Sequence, residues 1–169
     1  MKKIITISKL ALIVLTLSIT ACKKSTPDAA VTGSGTVTAT VDGGAFTANF
    51  LVNILYTGNV LTIQGADATG KQIQIQLGSI TTTGTYSLGL GTNHGSATYG
   101  PGIAAPGVVY SSVGCGVSFP QAGFVPNGTL VITELSATKI AGTFSFNAAK
   151  LEDCSSVKNI TGGVFSKNL

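Results

Sequence analysis

Apolar and polar residues alternate with a period of two along most of this chain. From residue 36, Val37, Ala39 and Val41 fall on one face while Thr36, Thr38 and Thr40 fall on the other, which is the signature of a half-buried strand. Asp42-Gly43-Gly44 then predicts a tight turn, because Asp and Gly tolerate positive φ. Phe46, Ala48 and Phe50 resume the alternation beyond it. A second hairpin follows. Leu61 and Ile63 alternate with Thr62 and Gln64, Ala66 to Gly70 turns, and Ile73, Ile75 and Leu77 alternate with Gln72, Gln74 and Gln76. Three glutamines two apart share one face of a strand and could not share one face of a helix.

Thr85 to Leu88 predicts a short strand between glycines. The stretch from Gly89 to Gly128 holds four of the five prolines, Pro101, Pro106, Pro120 and Pro126, so much of it must be loop. Ala97–Tyr99 and Val108–Val113 are its strand candidates. Regular alternation returns at Leu130–Leu135 and again from Ile140 to Asn147. A turn containing Glu152-Asp153-Cys154 then leads to a last strand over Val157–Phe165. No segment sustains a 3.6-residue period. The expected fold is all-β, an antiparallel sandwich or curled open barrel of nine to ten short strands. Its core should contain Val41, Phe46, Phe50, Ile63, Ile75, Leu77, Tyr86, Ile132, Phe144, Phe146 and Phe165.

The first residues follow different rules. Lys2 and Lys3 precede an unbroken apolar run from Leu10 to Leu15, extended by Leu17 and Ile19. This is the length of a secretory signal core and too short to span a bilayer as a helix. Ile19-Thr20-Ala21-Cys22 closes it with an aliphatic residue, two small ones and a cysteine, which is a bacterial lipobox. Cleavage after Ala21 would leave Cys22 as the N-terminus, its thiol bearing a diacylglyceryl thioether. The expected organisation is therefore a signal peptide over 1–21, a lipidated tether over 22–35 and one domain over 36–169. The tether is polar and small, with a random-coil span of roughly 20 Å and a full extension of about 40 Å.

Composition sharpens this picture in two ways. The net charge of +4 is largely carried by Lys2, Lys3 and Lys9, which leave with the signal. The remaining lysines are scattered and arginine is absent, so nucleic acid is not an expected partner. Only 9% of residues are charged, against about 25% in ordinary domains. Solubility must then come from Thr, Ser, Asn, Gln and Gly on strand surfaces.

In chain order, Phe46-Thr47-Ala48, Leu61 to Gly65, Gly84 to Gly89, Val131 to Leu135, Ile140 to Phe146 and Thr161 to Ser166 follow the lipobox. With these motifs the chain resembles a family of small uncharacterised Bacteroidota lipoproteins with an all-β domain of unknown function. That resemblance implies an envelope lipoprotein and supplies no catalytic positions.

Candidate chemistry is sparse. His94 is the only histidine and has no acid near it in sequence, so it reads as a solvated loop residue. Asp42 and Asp67 sit in turns for backbone reasons. Each turn offers one carboxylate and Glu152-Asp153 two, short of the 6–8 oxygens calcium takes. No metal, cofactor or catalytic residue is expected, and the protein reads as a non-enzyme. With Cys22 lipidated, Cys115 and Cys154 are the remaining thiols, and an oxidising compartment predicts a disulfide between them; two independent thiols are the alternative. Any function should lie in Gly89–Gly128, with Tyr99, Tyr110 or Phe124 as partly exposed binding residues, or else as caps on the core. The expectation is a lipid-anchored module at the outer membrane, on its periplasmic face or at the cell surface, with a binding or structural role. The alternative is a glycan- or peptide-binding accessory lipoprotein of an outer-membrane uptake system. Its partners would be the membrane, through the lipid, and a glycan or an envelope protein.

Overall fold

The computed structural model describes residues 35–89, 95–115, 124 and 127–169. The signal, Cys22, the tether as far as residue 34 and His94 lie outside this set. Eleven strands form one antiparallel sheet: β1 (Thr36–Val41), β2 (Gly44–Thr47), β3 (Leu51–Thr57), β4 (Val60–Ala66), β5 (Lys71–Leu77), β6 (Gly84–Ser87), β7 (Gly95–Pro101), β8 (Tyr110–Ser111), β9 (Gly128–Leu135), β10 (Lys139–Lys150) and β11 (Asp153–Asn168). A single 3₁₀ turn, Gly102–Ala104, follows β7.

The sheet curls into a half-barrel, nine strands along its main path. Its order is β2-β1-β11-β10-β8-β7-β5-β4-β3, so the path ends on the strand that follows its first in sequence. The link between β2 and β3 holds both edges. Ala48 N–H donates to the Val37 carbonyl on β1, and Phe50 N–H donates to the Ala66 carbonyl on β4. Alongside the first half of β10, the partner is β9, and β9 in turn pairs with β6. Leu88, just after β6, bridges to Gly95 at the start of β7. The short β8 fills the same gap at the other end of the barrel.

Turn chemistry explains the hairpins. Asp42 and Gly43 have φ of 48° and 85°, the left-handed pair of a two-residue turn whose twist matches its strands. Gly58 and Asn59 repeat this device with φ of 58° and 64°, joining β3 to β4. The inward positions Leu61, Ile63, Ile73, Ile75 and Leu77 are wholly buried, as are Leu130, Ile140 and Phe165. Full burial of each such side chain stabilises by roughly 1.5–3 kcal/mol.

Three expectations need correction. Phe50 is 61% exposed rather than in the core, because it lies where the chain turns from pairing with β1 to pairing with β4. Val41 is only half-buried against the core, next to the turn. Cys154 lies inside β11, which starts at Asp153, four residues before its expected beginning.

Candidate functional site

The strands predicted within the Gly/Pro-rich stretch exist, as β7 and β8, and they bring Tyr99 and Tyr110 together. The two residues are a cross-strand pair with ring centroids 6.1 Å apart and planes tilted by 44°. Both point into the barrel. Tyr99 is 4% and Tyr110 8% exposed, so the expected partial exposure is not found. Phe124 is also buried, in a separate small cluster with Cys115 and Ala149. Alternation explains this: β7 and β8 present their odd- and even-numbered aromatics to one face, and that face is the core.

Cys115 and Cys154 form the expected disulfide, with Cα atoms 5.3 Å apart across a sequence separation of 39. It ties the segment after β8 to the start of β11, and Phe124 packs in the cluster around it.

Sequence reading did not find the polar group beside Tyr110. Lys158 on β11 reaches the turn between β1 and β2, its Nζ donating to Asp42 Oδ2 at 2.7 Å. The Asn159 N–H donates to Asp42 Oδ1 at 2.9 Å. The hydrogen bond from Asn159, then that from Lys158, holds the Asp42 carboxyl below its usual range. The hydrogen bond to Asp42 raises the Lys158 ammonium, which also lies 5.8 Å from the Tyr110 ring centroid. The Tyr110 and Ser156 hydroxyls meet at 3.3 Å. Burial raises the Tyr99 phenol, so it stays protonated at neutral pH. The Asp-Gly turn was legible; its cation, 116 residues away, carries no local signal.

These groups make a structural clasp rather than a reaction centre. The one carboxylate is neutralised, and the lysine is held charged against it. No group of three or more His, Cys, Asp or Glu residues close enough for a metal occurs among the described residues. No described helix is long and apolar enough to cross a membrane.

Outside the core, a groove of about 330 Å³ runs between the start of β5 and the segment after β7, lined by Gln72, Gly100, Ile103, Pro106, Val108 and Val109 among others. Ile103 at its rim is 77% exposed. A smaller recess near Leu151 shares Gly107 and Val109 with it.

The fold and its contents define a disulfide-clasped, all-β half-barrel with a filled interior. Residues 33–168 match the family described as a domain of unknown function (DUF6252), and the chain belongs to that family. No curated protein and no solved structure matches it.

Proposed function

We propose that the protein is a lipid-anchored module of the bacterial cell envelope, attached to the outer membrane through Cys22, with a binding or structural role. The observation that supports this most is the lipobox Ile19-Thr20-Ala21-Cys22, placed directly after an apolar run of secretory length. The disulfide agrees with it, since such bonds persist outside the reducing cytoplasm. A barrel packed with side chains offers its surface, not its interior, to a partner. Anchoring needs more than one acyl chain, because a single chain binds membranes only marginally.

Cys22→Ser tests the reading in cells. The variant is expected to leave the outer-membrane fraction or to remain uncleaved, while the native chain stays with the membrane. Equal membrane retention of both would contradict it.

A further inference from the structure

Four of the five glutamines in the chain, Gln64, Gln72, Gln74 and Gln76, stand on two neighbouring strands. The alternation of β4 and β5 turns all four outward, opposite the buried Ile63, Ile73 and Ile75. Register extends them into rows. Asn53, Gln64, Gln74 and Thr98 lie side by side across β3, β4, β5 and β7, and Thr62, Gln76 and Ser96 form the next row. Neighbouring strands stand about 4.8 Å apart, so the carboxamides form a ladder. None of these five carboxamides, Asn53 included, makes a side-chain hydrogen bond with the described residues. No outward position on the four strands is charged. At one end the ladder meets the groove, where Gln72 faces the aliphatic Ile103, Pro106 and Val108.

We propose that this face binds a neutral glycan chain. The inference rests on the reading of the protein as a binding module and names its ligand class. Each carboxamide both donates and accepts, as a sugar hydroxyl does, and the ladder offers several such groups without a charge to desolvate. The outward side chains of the ladder carry no charge. The cations nearest it are marginal: Lys71 at the start of β5, and Lys167, whose ammonium donates to the Ile54 carbonyl on β3 at 2.7 Å. The ladder itself therefore offers an acidic polymer no complementary charge. An extended peptide added as a strand needs a free backbone edge. β4, β5 and β7 each have a strand on both sides, so a peptide could add only beside β3, the end strand of the sheet, away from Gln72, Gln74 and Gln76. The aliphatic groove at the end of the ladder suits the C–H face of a sugar ring.

The test uses the full chain, ¹⁵N-labelled in detergent, titrated with neutral gluco-, manno- and xylo-oligosaccharides. At least one is expected to shift the side-chain amide signals of Gln64, Gln74 and Gln76. The double substitution Gln64→Ala with Gln74→Ala should then weaken binding on the order of tenfold, from the loss of two hydrogen bonds, with an unchanged melting temperature. Gln74→Thr, well suited to a strand surface, should weaken it to a lesser degree and guards against a misfolded double variant. Cys22→Ser should bind as well as the native chain, which separates this result from that of the anchor. The proposal is overturned if no neutral oligosaccharide shifts these amides at millimolar concentration. Equal binding of polygalacturonate or of a neutral peptide would also overturn it, as would undiminished binding by the substituted chains.

Discussion

At the scale of single residues, the aromatic side chains of the Gly/Pro-rich stretch act through packing. Tyr99, Tyr110 and Phe124 are all under 10% exposed, and truncation leaves a cavity that surrounding strands can close only in part. Tyr99→Ala, Tyr110→Ala and Phe124→Ala should each cost about 3–5 kcal/mol in urea unfolding, in the range of large aromatic truncations. Phe50→Ser should stay within about 0.5 kcal/mol, as exposed substitutions do. A large loss at Phe50 with none at Tyr99 would reverse the assignment of core and surface. The Asp42–Lys158 pair gives a pH-dependent effect. The folded-state pKa of Asp42 lies below its ordinary 3.8, so its contribution is complete above that pH and is lost as pH falls through the folded value. Lys158 is raised above its ordinary 10.5, so its share is complete below that pH and is lost as pH climbs through the raised value. Both side chains are about a third exposed, which limits the pair to about 1 kcal/mol or less. Asp42→Asn keeps the turn geometry and should lower stability slightly at pH 7. That difference should begin to shrink below pH 3.8 and vanish once pH has fallen through the lowered folded value, and its persistence there would mean that charge is not the cause.

At the scale of elements, alternation was legible wherever a strand has one wet face and one dry one. The β4–β5 hairpin is the clearest case, since its glutamines and isoleucines separate cleanly. β3 escaped sequence reading for the opposite reason. Leu51 and Leu55 occupy outward positions beside the buried Val52 and Ile54, so the run is apolar on both faces and the period is hidden. Gly58-Asn59 was the remaining sign of that hairpin. The first residues of β11 are polar and only partly buried, which makes them look like a turn. In the candidate site, the disulfide was legible because, with Cys22 read as lipidated, Cys115 and Cys154 are the two thiols that remain. The clasp and the groove were not, because both join segments that are distant in sequence. The β10–β11 pair adds a device that pattern alone does not reveal. Gly142 stands opposite Phe165, and Gly163 stands opposite Phe144. A Cβ at Gly163 would collide with the Phe144 ring, and one at Gly142 would meet first the Val131 carbonyl oxygen and then the Phe165 ring. Gly163→Ala should therefore cost about 1–3 kcal/mol, the range of core overpacking, measured by the denaturation midpoint. A neutral result would show that the Phe144 ring can move aside freely.

At the scale of the whole molecule, the barrel has two unlike ends. β1 begins at Thr36, opposite Ser166 near the end of β11, and the preceding residues lead back toward Cys22. The turns at Asp42–Gly43 and Asp67–Gly70, the groove and the disulfide gather toward the opposite end. A lipid on Cys22, as proposed, would join the membrane to the domain at the first end. The rows of the amide ladder run across β3, β4, β5 and β7 on the wall between them. This arrangement depends on the anchor and on the bond between Cys115 and Cys154. One measurement addresses both: the intact mass, without reduction, of the protein extracted from bacterial membranes, with fragmentation of its N-terminus. The predicted result is a chain that begins at Cys22, bears a diacylglyceryl group on that sulfur, and is two hydrogens lighter than the dithiol form. A chain that keeps residues 1–21, or that begins at Cys22 with an unmodified thiol, would contradict the account.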